Sequence, residues 1–246
     1  MADVARFALV TDFGPGIYVG QVQLVLGSMA AGIPAVDLVN DLPAGQPRLC
    51  APLIPALTRG VPTGTLYLCV VDPGVGGGRD ILLVEQGANA FLAPDNGLLA
   101  FVVARCEGIR VFRVLWRPAA PSNSFHGRDI FAPVAALVAT GRQPEMEEID
   151  PAQVDGWTDR PRRDLVCYVD RFGNLISGLE SPDEPEGLRV KVGAHVVPYA
   201  ATFCAVEAGR AFWYKNALGL VEIAVNQGNA ARALDIPLGP TVELLG

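Results

Sequence analysis

Two short apolar runs, each closed by an aspartate and a glycine turn, set the strongest limit on how this chain folds. The first is RFALVTDFG, residues 6–14, and the second is GTLYLCVVDPG, residues 64–74. A near-continuous apolar run rich in β-branched residues suits a strand covered on both faces, as in a parallel sheet. After the first run, a break at Gly14-Pro15-Gly16 leads into IYVGQVQLVLGSMAAG, which has the length and apolar content of a helix. The chain therefore opens as strand, turn and helix. Asp12 and Asp72 fall at the carboxyl ends of strands, the edge at which open α/β sheets bind ligands. Taken singly, each aspartate equally suits a cap on the turn or helix that follows.

The next segments, DILLVEQG and NAFLAPDNG, read as two strands turned around Gly87. LLAFVVARC and DIFAPVAALVATG read as helices, the second stopped by Gly141. Near residue 150 the character changes. IDPAQVDGWTDRPRRD is polar and carries Pro151, Gly156 and Pro161, as a connector does. Beyond it come short strand-like pieces, LVCYVD, LRVKVG, HVVPYA, LVEIAV and TVELL, separated by turns. The expected organisation is an α/β N-terminal domain over residues 1–150, with a central, mostly parallel sheet flanked by helices. A linker over 151–163 and a small all-β C-terminal domain over 164–246 follow.

Composition narrows the function. The 246 residues are 50% hydrophobic, enough for a sizeable core. A net charge of -7, with 19 scattered Lys and Arg, leaves no basic stripe for nucleic acid or an anionic membrane. The mean hydropathy is positive, +0.31, yet no apolar run approaches the roughly 20 residues of a spanning helix. MADVARFALVTDFG lacks the length and cleavage site of a secretory leader. The five cysteines (Cys50, Cys69, Cys106, Cys167, Cys204) show no Cys-x-x-Cys and no histidine at ligand spacing. Neither a disulfide framework nor a metal site is expected, and reduced thiols in a cytoplasm are.

The glycine-rich stretch CVVDPGVGGGRD, Cys69 to Asp80, invites a phosphate-loop reading, and its spacing refuses one. A Walker loop requires Lys and Ser/Thr after its last glycine. A dinucleotide loop counted from Gly74 requires glycine where Arg79 stands. The stretch does hold Asp72 and Arg79 on a flexible connection that lets their side chains meet; a surface turn with an ion pair is the plainer alternative. His126, in NSFHGRDIFAPVAA, precedes a helix start, where the dipole favours a neutral imidazole able to take or position a proton. His195 reads as structural. In YVDRFGNLISG, Asp170, Phe172 and Asn174 place a carboxylate, a ring and an amide together, groups that hold an ammonium or diol, cover a planar base and read its edge.

TDFG with YVG, VVDPGVGGGRD, LAPDNGLL, FHGRDIFAP, DRFGN and LVEIAVNQGNAA, in this order over about residues 7–244, resemble the S-adenosyl-L-methionine hydroxide adenosyltransferase family, relatives of fluorinase and chlorinase. The resemblance implies a barrel-like C-terminal domain and a homotrimer with active sites between one subunit's N-domain and its neighbour's C-domain. It implies attack of water or hydroxide on C5′ of S-adenosylmethionine, giving adenosine and L-methionine, with no cofactor beyond the substrate. The catalytic set falls on Asp72, Arg79 and His126, and the ribose-diol carboxylate on Asp12. Asn174, with Phe172 beside it and the backbone around Val225 to Gln227, falls on adenine. Asp170 falls on the methionine ammonium, and Asn216 and Glu222 join the substrate-binding set.

Three places depart from the pattern: GPGI after Asp12, an aromatic missing near Gly45, and Ala217-Leu218 where fluorinase has Ser-Arg on the methionine carboxylate. Fluorinase also has a serine at the position of Gly127 and small hydroxyl and aromatic residues in place of the Asp-Arg-His set. The residues here therefore favour hydroxide over halide. A chlorinase-like halogenase and a non-catalytic adenosine or S-adenosylmethionine sensor are the alternatives, and the base is either Asp72 or His126.

Overall fold

The computed structural model describes residues 3–105, 108–158 and 162–246; Cys106, which ends the expected helix LLAFVVARC, and residues 159–161 of the expected linker lie outside the described residues. The chain divides into two compact units. One comprises residues 1–51 and 60–161, the other 52–59 and 162–246.

The first unit is built on seven strands: β1 (Arg6–Thr11), β2 (Ala35–Val39), β3 (Thr65–Val70), β4 (Ile81–Gln86), β5 (Asn89–Pro94), β6 (Arg110–Val114) and β7 (Met146–Ile149), in the order β2-β1-β3-β5-β4-β6-β7. The sheet is mixed. β2, β1, β3 and β5 run parallel. The far half, entered through the β4–β5 hairpin at Gly87 (φ 57°), is antiparallel. Residues alternate between faces along each strand. Phe7, Leu9, Leu66, Leu68, Ile81, Leu83 and Leu92 share a core with Val19, Val22 and Leu26 of the helix Ile17–Met29 and Val134, Ala135 and Val138 of the helix Ala132–Ala139. The intervening Ala8, Val10, Tyr67, Cys69, Leu82, Val84 and Phe91 are buried as well, so both faces are covered. Among the described residues no helix is long and apolar enough to cross a membrane.

The second unit is all β: β8 (Val166–Val169), β9 (Leu175–Glu180), β10 (Arg189–Val192), β11 (His195–Pro198), β12 (Ala211–Lys215), β13 (Leu220–Val225) and β14 (Val242–Leu245). They form the antiparallel sheets β12-β13-β9-β8 and β11-β10-β14. The sheet edges are tied at both sides. Leu165 bridges to Thr241 beside β8 and β14, and Tyr199 bridges to Trp213 beside β11 and β12. Tying edges in this way gives a barrel-like closure and hides groups that would otherwise template aggregation. Trp213, fully buried, fills the core with Val166, Leu175, Val190, Val221 and Ile223, and its indole N–H donates to the Leu188 carbonyl at 3.2 Å. Residues 52–59 are held to this unit by the Arg59–Glu180 ion pair at 2.9 Å.

Strands β1 and β3 pair in register from Arg6 opposite Thr65 to Thr11 opposite Val70, so Asp12 and Asp72 emerge side by side at one sheet edge. The glycine loop after β3 turns through hydrogen bonds from Val75 N–H to the Asp72 carbonyl (3.3 Å) and from Gly77 N–H to the Gly74 carbonyl (2.9 Å). Of its glycines only Gly76 has a left-handed φ, 81°, and a Cβ there would lie 2.5 Å from the Asn123 carbonyl oxygen. Gly78 has no neighbour within 4 Å of such a Cβ. Gly76→Ala is therefore expected to lower stability by about 1–3 kcal/mol in denaturant titration. Gly78→Ala should stay within about 0.5 kcal/mol of the parent, and equal losses in the two variants would refute the assignment.

Candidate active site

In the first unit, burial and ion pairing fix the catalytic-type residues. Arg79 Nε donates to both Asp72 oxygens, at 3.0 and 2.9 Å, and its Nη2 also donates to Asp72 Oδ2. The pair is largely hidden, with 12% of the Arg79 side chain and 5% of the Asp72 side chain exposed. Below the guanidinium lies the Phe131 ring, 5.6 Å from Arg79 Cζ to its centroid. The second terminal contact of Arg79 is Nη2 to His126 Nδ1 at 3.1 Å. An arginine only donates, so Nδ1 accepts and the neutral ring carries its proton on Nε2. Burial first, and the Arg79 charge second, lower the His126 imidazole below its ordinary value, against an opposing pull from Asp72.

His126 owes its place to a short π-helical turn, Gly127–Phe131, that runs straight into the helix Ala132–Ala139. Such turns recur at functional sites. Behind it Arg128 pairs with Asp129 (2.5 Å) and donates to Gln21 Oε1 (2.9 Å), while Asp129 accepts from Ser122 N–H (2.9 Å). Arg128 is thereby committed to bracing the turn.

Asp12 stands next to this set. Its Oδ2 accepts from Gly45 N–H at 2.8 Å, and burial, with a smaller push from the Asp72 charge, raises its carboxyl above the usual range. Asp12 lines a cleft with Phe13, Tyr18, Ser124 and Phe125. The three rings meet at tilted or edge-on angles, with centroids 5.0 to 6.1 Å apart. Gly127 admits this packing, because a Cβ there would sit 2.9 Å from Phe13 Cζ. Sequence reasoning missed the aromatic wall; the signal was FHG beside TDFG, whose phenylalanines it read only as part of the motifs.

The second unit holds a separate cleft of about 560 Å³ lined by Asp170, Phe172, Asn174, Phe203, Tyr214, Glu222, Val225, Gln227 and Gly228. Five residues singled out from the sequence thus come together: Asp170, Phe172, Asn174, Glu222 and Val225. Phe172 is 66% exposed and Phe203 37%; Arg171 lies over the Phe172 ring, 5.5 Å from Cζ to centroid, and Phe203 packs edge-on against Phe212 and Tyr214. Asp170 Oδ1 accepts from Phe172 N–H (2.9 Å) and Asn174 N–H (2.8 Å), and its Oδ2 accepts from Asn174 Nδ2 (3.1 Å). Three of the roughly four lone-pair positions of its carboxylate are taken. Buried Glu222 accepts from the Tyr214 hydroxyl and from Asn216 Nδ2 (2.9 Å). Burial raises the Glu222 carboxyl and the Tyr214 phenol alike.

Asn216 is not in the cleft lining; its Oδ1 closes the β12–β13 turn by accepting from Leu218 and Leu220 N–H, each at 2.9 Å. The cleft residues that the sequence reading lacked are Phe203 and Tyr214, which lie outside its motifs. His195, on β11, contacts the Leu234 carbonyl through Nε2 at 2.9 Å.

Comparison with known proteins covers both units. Residues 7–149 match the family model of the SAM hydroxide adenosyltransferase N-terminal domain, and residues 165–243 that of its C-terminal domain. The chain is similar to a (R)-S-adenosyl-L-methionine hydrolase of Thermus thermophilus, 35% identical over 96% of this chain and 98% of that protein. Its similarity to the enzyme of the same name from Salinispora tropica is 32% over 99% of both. A fluorinase of Actinopolyspora mzabensis is more distant, at 24% over 92% of each. Among solved structures, an uncharacterized conserved protein from Thermotoga maritima superposes with a TM-score of 0.82 at 27% identity, covering 97% of this chain and 100% of that one. With both halves matched in order and relatives above 30% identity along nearly the full length, the chain belongs to the SAM hydroxide adenosyltransferase family.

Proposed function

We propose that the protein hydrolyses (R)-S-adenosyl-L-methionine to adenosine and L-methionine. The observation that carries this reading is the buried Asp72–Arg79–His126 constellation beside Asp12, in a chain so similar to named hydrolases. Water attacks C5′ as the C5′–S bond breaks; the bonding pair leaves with sulfur as neutral methionine, and the water proton passes to a base. The sulfonium is already an activated leaving group, so the substrate brings its own driving force and no separate cofactor is required.

Free hydroxide at pH 7 would lie roughly 12 kcal/mol uphill of water, from the 15.7 pKa of bulk water. Late proton transfer avoids most of that barrier, because the oxygen becomes strongly acidic as it bonds to carbon. A carboxylate is then base enough. The His126 tautomer supports Asp72 in that role: Nδ1 is engaged by Arg79, and Nε2 carries a proton with which His126 orients the water. Arg79 holds the Asp72 carboxylate in place and keeps His126 in the tautomer that faces the water with a donor. A halide in place of water would meet the Asp72 carboxylate, which favours the neutral nucleophile.

Asp12 holds the ribose diol in this reading, and the second-unit cleft takes the adenine between Phe172, Asn174 and the Val225–Gln227 backbone, with Asp170 turned to the methionine ammonium. We assign the complete site to the meeting of the two half-sites across the subunits of a homotrimer. The thiols of Cys50, Cys69 and Cys204, in no disulfide among the described residues, suit a reducing cytoplasm.

Purified protein incubated with S-adenosylmethionine should release adenosine and methionine in equal amounts; bound adenosine without turnover would leave a sensor instead. Arg79→Ala, which removes the group that positions Asp72 and His126, should lower kcat by at least about 100-fold with little change in adenosine affinity. Mixing that variant with Asn174→Ala should restore part of the activity if subunits share sites, and no restoration would argue for sites within one chain. Because His126 titrates below its usual value, the unfolded chain holds a proton that the folded one lacks, and stability falls as pH drops below about 6.5. His126→Asn, which keeps an acceptor for Arg79, should flatten the fall in melting temperature between about pH 6.5 and 5. An unchanged fall would assign it to other groups.

A further inference from the structure

The side-chain amide of Asn174 has one orientation available to it. Asn174 is 6% exposed and lines the second-unit cleft. Its backbone is pinned both ways to Asp170, donating to Oδ1 at 2.8 Å and accepting from the Asp170 N–H at 3.1 Å. An amide's oxygen and nitrogen ends are nearly the same shape, so neighbouring donors and acceptors decide which way it faces. Here the neighbours are two carboxyl groups. Asp170 Oδ2 lies 3.1 Å from Asn174 Nδ2, and the Asn174 side chain also hydrogen-bonds Glu222.

Ionised carboxylates only accept. Turning the Asn174 carbonyl toward them would set lone pairs against lone pairs in a buried setting, where unmatched polar groups are most costly. Glu222 cannot swing aside, since it is 4% exposed and held by the Tyr214 hydroxyl on Oε1 and Asn216 Nδ2 on Oε2. Both of its oxygens already accept, so the network fits its ionised form. The role of Asn216, outside the cleft, follows: it anchors Glu222.

We infer that Asp170 and Glu222 are positioning residues that consume the N–H donors of Asn174 and leave its carbonyl oxygen to the ligand, so that the cleft demands a hydrogen-bond donor on the edge of the base. A 6-aminopurine supplies that donor through its exocyclic amine. A 6-oxopurine presents an acceptor there and sets oxygen against oxygen. The carboxylates thus select adenosine over inosine without touching the base, and this rests on reading the cleft as the adenosine site.

The test is equilibrium binding of adenosine, inosine and purine riboside to the whole protein and to Asp170→Asn and Glu222→Gln. The parent should prefer adenosine to inosine by roughly 100-fold or more, since a site built around one hydrogen bond rejects the analogue that lacks it. It should bind purine riboside, which has no 6-substituent, about tenfold more weakly than adenosine. In either variant the new carboxamide can donate to Asn174, which lets the amide turn and shrinks the adenosine-to-inosine ratio to about tenfold or less. A merely structural role would weaken both nucleosides together and keep the ratio, and that outcome overturns the inference. If a variant fails to fold, the parent alone decides: purine riboside binding as tightly as adenosine overturns it too. A parent protein that neither binds adenosine nor consumes S-adenosylmethionine would refute the functional reading itself, a result distinct from retained turnover with unchanged ratios.

Discussion

The Asp72–Arg79 ion pair is the contact on which the first unit's site depends. Both ends are largely withdrawn from water, so each needs the other; removing either partner would strand a buried charge. Through this pair the end of β3 is joined to the far end of the glycine loop, and through Nη2, which also donates to Asp72, the loop is joined to His126. Arg79 thereby sets a tautomer as well as a distance. The parallel pairing of β1 and β3 adds Asp12 to the same edge without any further device, because strands in register deliver their carboxyl ends together.

The two units divide the chemistry by type. The first gathers the charged, proton-handling groups and an aromatic wall; the second gathers exposed rings, an amide and two carboxylates, and among the described residues its cleft lining holds neither Lys nor Arg. A substrate that carries a cationic sulfonium and ammonium beside a neutral planar base matches both sets. An acidic cleft attracts its positive end, and exposed rings cover its base.

Much of this was legible in the sequence because it rested on local signals. The strands ending at Asp12 and Asp72 announced themselves as apolar runs closed by turns, and β1 and β3 stand where RFALVT and TLYLCV placed them. Edge strands were harder to see. β2 has an exposed middle and β7 reads MEEI, neither of which shows a buried-strand pattern. The β4–β5 hairpin was legible around Gly87, but the next strand of the antiparallel half was hidden for the same reason, since β6, RVFRV, carries polar residues at two of its positions. Among the glycines, composition suggested a flexible loop, but only the approach of Asn123 identifies Gly76 as the position that tolerates nothing larger. The aromatic wall depends on Phe125 meeting Phe13 and Tyr18, and the orientation of Asn174 on Glu222 as well as nearby Asp170; no spacing rule reports the distant partners.

Residues 52–59 belong to the second unit although residues on both sides of them belong to the first. The segment holds the buried Leu53 and Ile54, at 3% and 1% exposure, and it groups with the strands after residue 162. During synthesis the ribosome delivers it long before those strands. The nascent first unit must therefore carry an apolar segment awaiting partners, a stretch open to chaperones and to misassociation with neighbouring chains. Separating the halves by cutting the chain near residue 160 would leave the same segment stranded on the wrong fragment.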